Sequence, residues 1–227
     1  LENILSGVFP PEWVTVLRGS EVKDFILDLK YDYIFFTGGP NVGRMVMEKA
    51  AKHLTPVTLE LGGKSPCIVM ADADMAPAAK RIAWGKFFNS GQTCIAPDYL
   101  LIEEKAKPLF FEEIRKAIKK LYGDNPEASP DFARIINEKH WKRIEQFLHR
   151  GEIVSGGKSN QETRYIEPAV IEGISPDDPV MQEEIFGPVL PVITVKSIDE
   201  AVEFFNEREK PLALYLFTKN SDVIRKV

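Results

Sequence analysis

The chain of 227 residues contains one cysteine in a setting typical of a nucleophile. Cys94 ends the polar, glycine-containing run Asn-Ser-Gly-Gln-Thr-Cys (89–94). Glu60 ends an apolar run and is followed closely by Gly62 and Gly63. A thiolate attacks carbonyl carbons, and a carboxylate can activate the water that hydrolyses a thioester. The pair therefore predicts covalent chemistry at a carbonyl carbon, followed by hydrolysis.

The two cysteines have different surroundings. Cys67 lies between Pro66 and Ile68 in an apolar run, so we interpret it as a small buried core residue. Gly91 permits unusual backbone angles, and the other neighbours of Cys94 are polar, which favours a cleft over a packed interior. A buried structural cysteine is the alternative interpretation of Cys94.

A base for this chemistry is better supplied by Glu60 than by histidine. The histidines lie on helical segments with charged neighbours, so a Cys-His hydrolase is the weaker hypothesis: His53, His140 and His149. The carboxyl end of a strand is where α/β sheets bind ligands. Apolar surroundings there would raise the pKa of Glu60 and let it accept a proton near neutral pH. The alternative is a solvated carboxylate.

Two further runs could contact a nucleotide cofactor. Residues 37–43 show a strand, a glycine turn and a helix, which can present N–H groups to a phosphate, although the run departs from the dinucleotide fingerprint G-x-G-x-x-G. In Gln-Glu-Glu-Ile-Phe-Gly-Pro-Val (182–189), a carboxylate could hold ribose hydroxyls and Phe186 could pack on a nicotinamide. A tight turn and a charged loop with a buried ring are the alternatives.

The elements that position these runs alternate between strands and helices. Val14–Leu17, residues 33–37 and residues 57–61 have strand patterns, a helix follows at 42–52, and Ser20 could cap a helix that reaches Leu27. The alternation continues to the final helix, which begins near Ser221. This order predicts an α/β fold with parallel sheets. The double glycine near residue 62 predicts a domain boundary.

Composition excludes several classes of protein. The net charge of −5 is mild and the charges are mixed, which disfavours a nucleic-acid partner. No apolar run approaches the roughly 20 residues of a membrane span. A chain of this size needs no disulfide, so we expect a reduced, cytoplasmic protein.

The four runs occur in the order of aldehyde dehydrogenase motifs, and the chain resembles that superfamily. Residues 51–58, 96–99 and 208–215 resemble its class-three, fatty-aldehyde branch, and the resemblance extends over nearly the whole chain. The motifs that carry it are Phe-Phe-Thr-Gly (35–38), Leu-Glu-Leu-Gly-Gly-Lys-Ser-Pro (59–66), Asn-Ser-Gly-Gln-Thr-Cys (89–94) and Glu-Glu-Ile-Phe-Gly-Pro-Val-Leu (183–190).

The resemblance implies a reaction and a role for each matched residue. Cys94 would attack an aldehyde to form a thiohemiacetal, hydride would pass to NAD or NADP, and Glu60 would activate the hydrolytic water. The backbone N–H of Cys94 would stabilise the oxyanion. Glu184 would bind the nicotinamide ribose, with Phe186 beside the ring. The implied cofactor-binding set is Gly38, Gly39, Gly43, Glu60, Leu61, Glu184 and Phe186, and no metal is implied.

The resemblance also implies parallel Rossmann-like sheets in two parts. Residues 1–62 would form the second half of the NAD(P)-binding domain, and residues 63–227 a catalytic domain that is incomplete at its C-terminus. We expect a chain cut at both ends, without the family's oxyanion asparagine, its adenosine-binding strand or its oligomerisation strand. The full-length protein would act on an aldehyde, as a homodimer.

One departure and two alternative functions qualify this expectation. Gly39-Pro40 replaces the family's usual residues, and Pro40 offers no N–H to a phosphate. We expect the isolated chain to be nearly inactive, so a catalytically silent fragment is one alternative. A cofactor-independent thiol esterase that uses Cys94 is the other.

Overall fold

The computed structural model describes residues 1–19 and 21–227, and they form two compact units, Leu1–Leu61 and Gly62–Val227. We call them unit 1 and unit 2 and describe each by itself. The assignment of residues 1–62 to a cofactor domain and 63–227 to a catalytic domain stays a prediction. No helix of the described residues is both long and apolar enough to cross a membrane.

Unit 1 contains a two-stranded parallel sheet. Its helices are α1 (Glu2–Leu5), α2 (Val22–Ile26) and α3 (Pro40–Ala51), and its strands are β1 (Ile34–Gly38) and β2 (Val57–Leu61). The predicted strand at Val14–Leu17 is wrong, because that segment forms no ladder with another strand of the described residues. The predicted cap at Ser20 lies outside the described residues.

Unit 2 is built on a six-stranded sheet with the order β10-β3-β4-β9-β8-β5. All neighbouring pairs are parallel except β5–β8. A separate antiparallel pair is formed by β6 and β7. The elements are β3 (Pro66–Val69), α4 (Met75–Phe87), β4 (Tyr99–Glu103), α5 (Lys107–Tyr122), α6 (Glu138–Glu145), β5 (Glu152–Ser155), β6 (Ser159–Asn160), β7 (Tyr165–Ile166), β8 (Ala169–Glu172), α7 (Pro179–Gln182), β9 (Val189–Val195), α8 (Ile198–Asn206), β10 (Tyr215–Phe217) and α9 (Ser221–Lys226).

The sheet of unit 2 is buried on both faces, as its near-continuous apolar strands require. Along β4, Leu100 and Ile102 pack into one core cluster with α4 and α5. Tyr99 and Leu101 point the other way, into a second cluster that includes residues of α6 and α8. Because alternate side chains of a strand face opposite sides, one strand supplies both cores. The sheet is therefore a rigid support for the loops at its ends.

Candidate active site

Cys94 lies on a loop whose backbone has an unusual conformation. After α4, three consecutive residues adopt left-handed angles, with φ of 51° at Asn89, 55° at Ser90 and 72° at Gly91. Such angles are strained for residues other than glycine, so neighbouring contacts must hold the loop. The Cys94 side chain is exposed, while Cys67 is buried as predicted.

Side-chain hydrogen bonds supply that support. The Ser90 hydroxyl donates to the carbonyl of Ala133 at 2.6 Å. The Gln92 amide donates to the carbonyl of Arg134 at 3.1 Å and accepts from the N–H of Ile136 at 2.9 Å. The polar residues around Cys94, from which we predicted a cleft and not a packed interior, thus anchor the loop to residues 133–136.

Tyr215 of β10 approaches the other side of the same loop. Its hydroxyl donates to the carbonyl of Ile95, the residue that follows Cys94. Burial raises the pKa of Tyr215, and the nearby Cys67 and Cys94 raise it further. No pattern in the sequence predicts this contact, because Tyr215 lies in an ordinary strand pattern.

The carboxylate of Glu184 is held against the double glycine that begins unit 2. A Cβ placed on Gly62 would overlap the Glu184 carboxylate, and the N–H of Gly63 donates a hydrogen bond to it. Burial raises the pKa of Glu184, and the Gly63 hydrogen bond opposes that rise. Gly62 therefore leaves the space that this side chain occupies.

The backbone around Glu184 is fixed by two charged side chains. Arg143 donates to the carbonyls of Glu184 at 3.2 Å and Ile185 at 2.7 Å. The N–H of Ile185 donates to Asp98 at 3.0 Å. Phe186 follows with a φ of 47° and is partly exposed. These contacts place one carboxylate and one aromatic ring on the same short loop.

A cluster of buried and partly buried charges lies next to this loop, and the sequence analysis did not predict it. Lys64 donates to Asp98 at 2.5 Å and to the carbonyls of Val180 and Glu183 at 2.8 and 2.9 Å. Lys86 is fully buried, with its Nζ 3.9 Å from the same Asp98. A sign was present in the sequence, since Lys86 falls on the apolar face of an Ala-rich helix.

In unit 1, the parallel register brings four predicted residues to one edge of the sheet. Thr37 pairs with Glu60, and Gly38 pairs with Leu61, so Gly38, Glu60 and Leu61 lie together at the carboxyl ends of β1 and β2, with Gly39 next. Glu60 is exposed, so the apolar wall expected around it is absent among the described residues of this chain.

The glycines of the turn in unit 1 have different structural roles. Gly39 is the N-cap of α3, and no described atom lies within 4 Å of a Cβ placed there, so a ligand could approach its backbone. A Cβ on Gly43 would come within 2.9 Å of Leu61, which shows that Gly43 lets α3 pack closely on β2. Its N–H already bonds to the Gly39 carbonyl, at 3.0 Å. A cofactor contact at Gly43 stays a prediction.

The two loops of unit 2 that carry predicted site residues are in contact. A Cβ placed on Gly91 would overlap the carbonyl of Gly187, three residues after Glu184. The structure thus brings the loops of Cys94 and Glu184 together, while the roles predicted for these two residues stay predictions. The family model of the aldehyde dehydrogenases matches residues 2–227. The chain belongs to the aldehyde dehydrogenase family.

Known members of the family resemble the chain in sequence and in structure. Aldehyde dehydrogenase family 3 member B3 of Mus musculus is 51% identical over 231 residues, which cover 100% of this chain and 48% of that protein. The substrate-bound AldH of Staphylococcus aureus is 42% identical with a TM-score of 0.96 and covers 99% of this chain and 50% of that one. Betaine aldehyde dehydrogenase of the same organism, solved with NAD+, is 30% identical with a TM-score of 0.81, over 92% and 44% of the two chains.

These similarities confirm the predicted family, its class-three branch and the α/β fold. The chain spans about half the length of the curated relative, 48% of it. The Glu184 carboxylate is an acceptor suited to the hydroxyls of a ribose, and the open backbone at Gly39 suits a phosphate. Each unit therefore has groups that suit one part of a nicotinamide cofactor.

Proposed function

We propose that this chain supplies the nucleophile and part of the cofactor site of an enzyme that oxidises an aldehyde to a carboxylic acid, with NAD or NADP as oxidant. The exposed thiol of Cys94, on a strained and anchored loop that contacts the Glu184 loop, is the observation that carries the proposal. An anchored loop keeps a nucleophile in one orientation, which lowers the entropic cost of reaching the transition state.

Cys94 acts as the nucleophile in the first step. Its thiolate attacks the aldehyde carbon, and the carbonyl oxygen becomes the oxyanion of a thiohemiacetal. The backbone N–H of Cys94 makes no hydrogen bond with the described residues, so it is free to donate to that oxygen. Loss of hydride from the same carbon would leave Cys94 as a thioester, and a bound nicotinamide cofactor would supply the hydride acceptor.

Glu60 acts as the base in the second step. It accepts a proton from the water that attacks the thioester, which releases the carboxylic acid and the Cys94 thiolate. Its place in the mechanism is supported by family membership and by its exposed position at the carboxyl end of β2. For the cofactor we propose Glu184 as the ribose ligand and Phe186 as the neighbour of the nicotinamide ring. Gly38, Gly39, Gly43 and Leu61 complete the proposed set.

We propose a cytoplasmic homodimer as the setting of the reaction. Both cysteines are free, which supports a reducing, cytoplasmic location. A homodimer is proposed from the class-three resemblance alone. We expect little turnover from these 227 residues in isolation, because the curated relative is about twice as long, the chain covering 48% of it.

A single-turnover experiment tests the proposal even if turnover is slow. The protein is incubated with an aldehyde, with and without NAD+ or NADP+, and the peptide that contains Cys94 is analysed by mass spectrometry. We expect an acyl group on Cys94 only when the cofactor is present, and none in Cys94→Ser. Glu60→Gln should accumulate more of the acyl form, because its hydrolysis is slowed.

The controls separate the alternatives. Cys67→Ala should behave as the unmodified protein does, because Cys67 is fully buried. Acylation of Cys94 by an activated ester, together with no cofactor-dependent acylation by an aldehyde, would instead identify a thiol esterase. Failure of both reactions in a folded protein would identify a catalytically silent chain.

A further inference from the structure

Lys86 carries a buried ammonium group for which the described part of the chain offers no hydrogen-bond partner. Its side chain is fully buried, and its Nζ makes no hydrogen bond to any of residues 1–19 and 21–227. It lies on the face of α4 that also carries Ile82, Ala83 and Phe87. Burying an unpaired charge is costly, so an apolar residue would stabilise the core more. The charge therefore needs another explanation.

Two carboxyl groups act on the Lys86 charge, that of Asp98, which is buried, and that of Glu184, which is partly buried. Asp98 is 3.9 Å from the Lys86 Nζ, but both its oxygens are already engaged, by Ile185 and Lys64. Glu184 also attracts Lys86 electrostatically, and Lys64 repels it. The cluster contains two acids, Asp98 and Glu184, and two bases, Lys64 and Lys86. While both acids are ionised, its net charge is zero only if both lysines are protonated.

We propose that Lys86 is a positioning residue, the buried counter-charge that keeps Glu184 and Asp98 together as two carboxylates behind the candidate ribose site. Without it, Lys64 alone would balance both acids, and Lys64 is bonded to Asp98 rather than to Glu184. Glu184 would then be held less firmly against Gly62 and Gly63. The identity of the ligand rests on the proposed function; the electrostatic role does not.

The titration of the cluster follows from the same neighbours. Burial lowers the pKa of Lys86 to about 8, while Asp98 and Glu184 oppose the decrease and Lys64 adds to it. Burial raises the pKa of Glu184, and Lys86 and Lys64 counteract that increase. Since Lys86 is charged throughout the acidic range, it favours the ionised form of Glu184 wherever Glu184 titrates.

An NMR titration tests the role without any cofactor. The protein is labelled with 13C at glutamate carboxyl groups, and the Glu184 signal is assigned from its loss in Glu184→Gln. We expect Lys86→Met, which keeps a long apolar side chain, to shift the Glu184 midpoint upwards by on the order of half a pH unit or more. Lys80→Met is the matched control, because Lys80 is exposed on the same helix and its loss removes the same charge.

The result separates this inference from the proposed function. An unchanged Glu184 midpoint in a folded Lys86→Met protein, or an equal shift in Lys80→Met, would overturn the role of Lys86. If Lys86→Met does not fold, Lys86→Gln is used, for which the same shift is expected. Calorimetric titration with NAD+ is run in parallel. A Glu184 shift without any NAD+ binding would support Lys86 while contradicting the cofactor site.

Discussion

Gly91 lies directly against the backbone carbonyl of Gly187, and this contact joins the loop of Cys94 to the loop of Glu184. The φ of 72° at Gly91 is in the left-handed region, where side chains are disfavoured. Two separate requirements, the backbone angle and the close approach, therefore select glycine at one position.

The first prediction is that Gly91→Ala destabilises unit 2 by about 2–5 kcal/mol, from backbone strain together with overpacking. Gly173→Ala is the matched control, because Gly173 has a φ of 73° but no described atom lies within 4 Å of a Cβ placed there. This control should lower the free energy of unfolding only by the backbone strain, about 1–2 kcal/mol. Urea unfolding measures both variants, and equal losses of stability would contradict a role for the Gly187 contact.

The second prediction concerns the space that Gly62 leaves for Glu184. Gly62→Ala should displace the Glu184 carboxylate, because the three atoms nearest to a Cβ placed there all belong to the end of that flexible side chain. We expect the free energy of unfolding to change by less than about 1 kcal/mol, since a flexible side chain can move. Affinity for NAD+ should decrease several-fold.

Calorimetric titration with NAD+ and urea unfolding check this prediction together. Gly85→Ala is the control, because Gly85 lies within α4 and a Cβ there meets Pro97 at an ordinary 3.4 Å. Its affinity for NAD+ should be unchanged. An undiminished affinity in Gly62→Ala would show that the position of Glu184 does not matter for the cofactor.

Local patterns in the sequence predicted most elements because the information for them is local. The strand at 57–61 and most of the helix predicted over 42–52 follow from apolar patterns. That helix begins two residues earlier than predicted, at Pro40, because Gly39 serves as its N-cap and a proline is tolerated in the first turn. Val14–Leu17 has strand propensity but no neighbouring strand among the described residues, and pairing decides whether a strand forms. The sequence suggested Cys94 and Glu184 separately. Their connection through Gly91 and Gly187, and the charges of Lys64, Asp98 and Lys86 behind it, depend on tertiary packing.

The third prediction is a pH dependence of stability caused by Lys86. The ordinary pKa of a lysine side chain is 10.5, whereas the pKa of Lys86 in the folded protein is about 8. Between these values the unfolded chain binds more protons, so this group makes stability rise with pH in that window. Below pH 8 Lys86 is protonated in both the folded and the unfolded state, so the full destabilising effect of burying its charge remains. The difference of about 2.5 between the two pKa values corresponds to roughly 3 kcal/mol.

Other groups act in the opposite direction at high pH. Burial raises the pKa of Cys67 and that of Tyr99, so their contributions are lost as the pH rises above their ordinary values of 9.0 and 10.0. The effect of Lys86 is therefore measured as a difference between the protein and Lys86→Met by urea unfolding across pH 7–10.5. We expect the variant to be more stable near neutral pH and this advantage to shrink as the pH rises. A pH-independent difference would contradict the assignment.

The fourth prediction concerns the reactivity of the two thiols. Alkylation requires a thiolate that the reagent can reach. Cys67 is fully buried, and that burial raises its pKa well above the ordinary 9.0, so it should react only when unit 2 unfolds. Cys94 is exposed and should be alkylated by iodoacetamide at least about 100-fold faster, since burial of Cys67 requires an opening reaction.

Mass spectrometry of the labelled peptides over time checks this difference. Tyr215→Phe is the informative variant, because it removes only the hydroxyl that bonds to the Ile95 carbonyl beside Cys94. It should cost about 1 kcal/mol of stability and change the rate at Cys94 while leaving Cys67 protected. In urea sufficient to unfold the protein, both cysteines should react at similar rates. Equal rates under native conditions would mean that the core around Cys67 opens as readily as the loop of Cys94, which contradicts the packing of β3 between β10 and β4.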